Sequence, residues 1–188
     1  MKKIMFTLAA VACAVTMQAA QFNWTISQVR EGWDDSSVKA TGTAYLFLVG
    51  SNGATEAAVA SAISGAKDAS SLGTALSGMA IDTKDLSAGA AGGLTADGIT
   101  ATAPADLFFA VISDDGYAYQ GAAVNVTTIE TLGSTEVLFG SQKNATSAAS
   151  AWSNVGGGGS GGGDVPEPTS GLLLLVGGAM LALRRKQK

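Results

Sequence analysis

The sequence contains no histidine, and its one cysteine, Cys13, lies close to the N-terminus. A Ser-His-Asp or Cys-His site needs an imidazole base. A zinc site needs Cys or His ligands. Neither is available, which excludes most enzyme chemistry, and no cofactor or metal site is expected. Charge is scarce as well. Lys, Arg, Asp and Glu make up 14% of the 188 residues, against about 25% in an average globular protein. The surface must therefore be mostly Ser, Thr, Gly and Ala. Aromatic residues are few, at 6%.

What is present at the N-terminus has the form of a secretory signal. Met1-Lys2-Lys3 is a short basic region, Ile4 to Val15 is apolar, and Thr16 to Ala20 ends in small residues. That order and length fit a leader peptide. Residues 1–20 are read as a signal peptide, with signal peptidase expected to cut after Ala19 or Ala20. Cleavage would remove Cys13 and leave a mature chain without cysteine, in a compartment where disulfides are permitted. The competing readings are an uncleaved membrane anchor, a buried helix, and a lipoprotein acylated at Cys13, although Ala10-Val11-Ala12 matches a lipobox poorly.

The C-terminus has three parts in order. Val165-Pro166-Glu167-Pro168 is held extended by its prolines. Thr169 to Leu183 carries no charge, and Thr169 or Ser170 can cap a helix there. Arg184, Arg185, Lys186 and Lys188 form a basic cluster expected to stay in the cytoplasm. A helix over 169–183 would be roughly 22 Å long, against a hydrocarbon core of ~30 Å. Snorkelling arginines and local bilayer thinning can close that gap.

Residues 165–188 resemble the PEP-CTERM sorting signal, whose bearers are exosortase substrates in Gram-negative-type bacteria. The same tail is sometimes labelled an ice-binding-protein C-terminal domain, which says nothing about ice. The resemblance implies export by the signal peptide and transient anchoring in the inner membrane by the helix. A membrane-embedded exosortase then cuts near Pro166, Glu167 and Pro168. The body passes to the cell surface or the medium, often into an exopolysaccharide matrix. The catalytic cysteine belongs to the exosortase. Topology agrees, because the basic residues at both ends should face the cytoplasm and leave the body exported.

Between the ends, residues 21–165 hold five basic and fourteen acidic residues, a net charge of −9. That balance argues against nucleic-acid binding, which needs a basic face. Residues 154–164 are read as a flexible linker built on Gly156-Gly157-Gly158-Gly159-Ser160-Gly161-Gly162-Gly163, with a root-mean-square span of roughly 16 Å for that octapeptide.

Residues 21–153 are read as the folded domain. They contain all three Trp, all three Tyr and five of the six Phe. Phe22, Trp24 and Ile26 alternate as in a half-buried strand, and Thr43–Val49 and Leu107–Ile112 are nearly continuous apolar runs suited to central strands. Asp114-Asp115-Gly116 before Tyr117–Gln120 signals a hairpin. Val124–Ile129 and Glu136–Phe139 supply further strands, and Asp97-Gly98 is expected to turn another hairpin. Glu56–Ser64, stopped by Gly65, and Ser70–Met79 have helical spacing. Asp82–Gly93 is expected to be a loop. The fold class is α+β or mainly β: a small antiparallel β domain with a short Ala-rich helical insert on one face.

Candidate sites in this domain are sparse. Asp34-Asp35 and Asp114-Asp115 have the residue types for calcium ligation or for a two-carboxylate hydrolase, but Asp is common at turns. Tyr117 and Tyr119 share one face of a strand, and with Trp24 and Trp33 they can stack on sugar rings or pack a core. Three Asn-x-Thr sequons begin at Asn23, Asn125 and Asn144. The expected function is a non-catalytic structural, matrix or adhesion role at the cell surface, with exopolysaccharide as a possible partner. A carbohydrate-binding module is the alternative, followed by an acidic-pair hydrolase.

Overall fold

The computed structural model describes residues 18–130 and 132–155. The greater part of the expected leader, the Gly/Ser tract from 156 onward and the whole sorting tail lie outside the described residues. In chain order the strands and helices are β1 (Gln18–Ala20), β2 (Phe22–Ser27), β3 (Gly42–Leu48), α1 (Glu56–Gly65), α2 (Ala69–Met79), β4 (Asp82–Leu86), β5 (Ala91–Leu94), β6 (Ile99–Ala101), β7 (Ala105–Ser113), β8 (Tyr117–Gln120), β9 (Val124–Val126), β10 (Thr135–Ser141), α3 (Lys143–Thr146) and β11 (Ser153–Asn154). Short 3-10 turns occupy Ser51–Gly53 and Ala149–Ala151. Among the described residues no helix is long and apolar enough to cross a membrane. The expected span 169–183 lies outside them.

The fold is mainly β, with sheets of antiparallel strands and a few short helices. Its large sheet runs β11-β8-β7-β3-β4, and β9 pairs with the first part of β7. At its centre β3 and β7 pair in seven-residue register, from Gly42 opposite Ser113 to Leu48 opposite Leu107. These are the two continuous apolar runs. Side chains alternate across a strand, so each run must be buried on both faces. Ala44, Leu46, Leu48, Leu107, Phe109 and Val111 join one core, while Tyr45, Phe47, Phe108, Ala110 and Ile112 join another.

The second core is closed by the helical insert. Val59 and Ile63 of α1 and Leu72 and Leu76 of α2 are buried there. Both helices begin on side-chain caps: Thr55 Oγ1 accepts from Ala58 N at 3.0 Å, and Asp68 Oδ1 accepts from Ser71 N at 2.7 Å. Gly65 lies inside α1 and has no left-handed φ. The helix ends instead because Ala66 turns to an extended conformation.

The first core is closed by a three-stranded sheet, β10-β2-β5. Phe22, Trp24 and Ile26 of β2 point into it, all at 2% exposure or less. β10 runs parallel to β2, which departs from the all-antiparallel expectation, and its register shifts between Leu138 and Gly140. The layers therefore stack as helices, large sheet, small sheet.

Two local expectations between residues 82 and 102 are corrected. Asp82–Gly93 is not a loop, because it contains β4, most of β5 and a tight turn. β4 pairs with β3 in the large sheet, and β5 pairs with β2 in the small one. Asp97-Gly98 does turn the chain, with Gly98 at φ 81. Its flanking strands do not form a hairpin, since β5 pairs with β2 and β6 pairs with β1. β1 itself comes from residues read as the end of the leader: Gln18, Ala19 and Ala20 lie opposite Ala101, Thr100 and Ile99. At the other end Val155 is 2% exposed and donates its N–H to Gly116 O at 2.8 Å. The packed body thus includes a residue from the expected linker.

The turn joining β4 to β5 yields a prediction. Ser87 and Ala90 exchange backbone hydrogen bonds, and the two residues between them, Ala88 and Gly89, have φ 48 and 73. Such a two-residue turn favours Asn-Gly over Ala-Gly, because alanine pays a steric penalty in left-handed backbone. Ala88 is exposed. Ala88→Asn should stabilise the protein by about 0.5–1 kcal/mol, read as a higher denaturant midpoint at unchanged slope.

Candidate functional site

Seven of the aromatic residues form one connected chain through the first core. Trp24 meets Phe139 edge-on at 6.5 Å, and Phe139 meets Phe109 at 4.9 Å. Phe109 reaches Tyr119 at 6.0 Å, and Tyr119 reaches Trp152 at 5.6 Å. Trp152 meets Trp33 at 4.5 Å, and Trp33 stacks on Tyr117 at 4.7 Å with the rings 9° apart. All four residues considered for sugar stacking belong to this chain. Trp24 is fully buried and Tyr119 is 9% exposed, so neither offers a ring face to a ligand. Trp33 and Tyr117 are half-buried and cover each other. Phe109, Phe139 and Trp152, which sequence reasoning did not single out, are the links. A lone tryptophan in the small-residue stretch before the Gly/Ser tract was the available signal for Trp152.

Polar groups lock this chain in place. Trp24 Nε1 donates to Asp82 Oδ2 at 2.8 Å, and Lys84 Nζ lies 3.4 Å from Asp82 Oδ1. Trp152 Nε1 donates to Thr146 O at 2.9 Å. The buried Thr146 Oγ1 donates to Gln142 O and accepts from Arg30 N, both at 2.8 Å. The sequon at Asn144 therefore has its hydroxyl engaged in the core. Asn23 and Asn125 amides donate to Glu136 Oε1 at 2.9 Å and Asp106 Oδ1 at 2.7 Å. Burial pushes the Tyr119 hydroxyl above its usual pKa.

Carboxylates from both acidic pairs act on Glu31, near the Trp33–Tyr117 end. Burial first, and then the neighbouring carboxylates of Asp115, Asp34 and Asp35, hold Glu31 above the usual carboxylate range. Asp35 shifts the opposite way, because Ser37 donates hydrogen bonds to it; its N–H lies 2.8 Å from Asp35 Oδ1. Among the described residues no group of three or more His, Cys, Asp or Glu has an arrangement that could hold a metal ion. This end is a crowded acidic surface around packed aromatics.

That crowding has a pH signature. Glu31 binds its proton more tightly folded than unfolded, so its contribution favours the fold at low pH. The contribution is lost as pH rises through the raised folded value. Above it the ionised carboxylate opposes folding. Glu31→Gln should therefore raise thermal stability near neutral pH and have little effect below the ordinary Glu range. Melting curves of both proteins across that window check this, and an equal effect at all pH values would contradict it.

Two grooves lie elsewhere on the body. One of about 510 Å³ runs beside Gly50, Ser51, Thr100, Thr102, Pro104 and Asp106. Another of about 470 Å³ is lined by Ser51, Asn52, Ala80, Ile81, Ile99 and Thr100. Neither is lined by an aromatic residue or by either acidic pair, and the Asp106 carboxylate already accepts from Asn125. Comparison with protein-family models, with curated proteins and with solved structures gave no match.

Proposed function

We propose that this chain is an exported, non-catalytic structural or adhesion protein of the bacterial cell surface, delivered by its own two ends. The observation that carries the reading is the order Pro166-Glu167-Pro168, uncharged run 169–183, and Arg184, Arg185, Lys186 and Lys188 at the C-terminus, behind a basic-apolar leader. Signal peptidase and an exosortase-type membrane protease are its processing partners, and exopolysaccharide is the surrounding matrix.

The body supports this role indirectly. Most of its aromatic residues are buried in the two cores rather than arrayed as a binding platform. Its outer helix faces are Ala and Ser, with exposed Ala57, Ala60, Ser61 and Ser64 on α1. It would remain soluble outside the cell on a net charge of −9 over 21–165, which opposes non-specific association.

Replacing Arg184, Arg185, Lys186 and Lys188 together with Gln tests the route. Basic residues beside an apolar segment hold its end in the cytoplasm, and a short segment depends on them most. The variant should leave the membrane fraction unprocessed, with the cleaved form nearly absent. Processing at the native level would remove the basis of the reading.

A further inference from the structure

Asn52-Gly53 is the one Asn-Gly pair in the sequence, and the fold presents it openly. The two residues end the 3-10 turn at Ser51–Gly53, between β3 and α1. Both are exposed, at φ 50 and 73, a backbone region that Asn and Gly tolerate best. A Cβ added to Gly53 would meet nothing within 4 Å. Among the described residues the Asn52 amide makes one hydrogen bond, from Nδ2 to Ala80 O at 3.5 Å, the far limit for such a bond.

The other asparagines are protected differently. Asn23 and Asn125 lie in strands with their amides held at 2.9 and 2.7 Å, and bulky Trp24 and Val126 follow them. Asn154 precedes Val155, whose N–H is donated to Gly116 O. Asn144 precedes Ala145, whose Cβ crowds the attacking nitrogen.

We propose that Asn52-Gly53 is a self-modification site at which the turn ages by deamidation. The Gly53 backbone nitrogen attacks Asn52 Cγ. A new N–Cγ bond forms, the Cγ–Nδ2 bond breaks, and ammonia leaves with the proton that Gly53 N gives up. Water then opens the five-membered imide. Opening at the side-chain carbonyl yields Asp, and opening at the main-chain carbonyl yields isoaspartate, with one extra methylene in the backbone. The reaction needs only water, and it accelerates as pH rises because the attacking amide must lose its proton.

The consequence is local. A donor facing Ala80 O becomes a carboxylate that repels it, at the residue where α2 ends. The negative charge appears in the groove between Ser51 and Ile99. Isoaspartate also lengthens the turn that passes β3 into α1. The inference does not rest on the sorting route.

The test ages the purified full chain at mildly alkaline pH, followed by peptide mapping and isoaspartate-specific methylation. Asn52 should convert ahead of Asn23, Asn125, Asn144 and Asn154, with isoaspartate the larger product and the rate rising with pH. Asn52→Gln should abolish the early ammonia release, because closure then requires a six-membered ring. Persistence of the Asn52 amide while another asparagine converts would overturn the proposal, as would equal rates at all five. Isomerisation at Asp97-Gly98 would be distinguishable, since it creates isoaspartate without the change of mass that loss of an amide gives.

Discussion

Trp24→Ala should cost the folded body about 3–5 kcal/mol. Trp24 is fully buried between the two sheets, at one end of the aromatic chain, and it is held by the Asp82 carboxylate at 2.8 Å. The substitution removes the largest buried side chain of β2 and leaves Asp82 without its indole donor. A domain of this kind is stable by only ~5–15 kcal/mol, and the described residues contain no cysteine with which to form a disulfide. A large share of that margin goes with one side chain. Asp82→Ala isolates the polar part. It strands a buried N–H and should cost about 1–3 kcal/mol. Denaturant unfolding followed by tryptophan emission reads the Asp82 variant, and far-UV circular dichroism reads both. A Trp24→Ala loss below about 0.5 kcal/mol, the ordinary scale of a surface change, would show that Trp24 does not organise the core.

Gly42→Ala should be comparably damaging, by a different mechanism. Gly42 begins β3, opposite both Ser113 of β7 and Leu86 of β4. Its φ is 146, and an ideal Cβ would sit 2.1 Å from Ile112 O and 2.7 Å from Ser113 Cα. The obstacle is backbone inside the central strand pair and cannot rotate away. Conformational strain and overpacking together should cost about 3 kcal/mol or more. Gly98→Ala is the control. Its φ is 81 but its Cβ would meet nothing within 4 Å, so only the left-handed penalty of ~1–2 kcal/mol applies. Equal losses in the two variants would contradict the packing argument.

These two positions mark what a sequence can and cannot reveal here. Trp24 was legible, because Phe22, Trp24 and Ile26 alternate and only one face of β2 meets a core. β3 and β7 were legible for the complementary reason: burial on both faces leaves Leu46–Leu48 and Leu107–Ile112 without a polar residue. The helical insert was legible in Val59–Ile63 and Leu72–Leu76. β4 and β5 were not. Asp-Thr-Lys-Asp-Leu and Ala-Gly-Gly-Leu carry little strand signal of their own. They are strands because β3 and β2, far away in sequence, supply the pairing edge. The parallel pairing of β10 with β2 is hidden for the same reason, since residues 135–141 meet residues 22–27.

The candidate site was legible in its parts and illegible in its assembly. Trp24, Trp33, Tyr117 and Tyr119 stood out as aromatics in a chain with few. That Phe109, Phe139 and Trp152 join them into one internal column depends on three layers coming together. The acidic pairs are likewise separate in sequence. Glu31 senses both only because the loop after β2 meets the β7–β8 turn. By contrast, the sorting role proposed for the ends of the chain rests on linear sequence, and its reading needs no fold.

Mass determination of both termini, on protein from the envelope and from the medium, tests the central claim most directly. The account predicts a front end at Ala20 or Gln21 and a back end near Pro166-Glu167-Pro168 on the surface or released form, with the basic cluster gone. Surface protein that still ends in Lys188 would contradict it, and the tail would then be something other than a sorting signal.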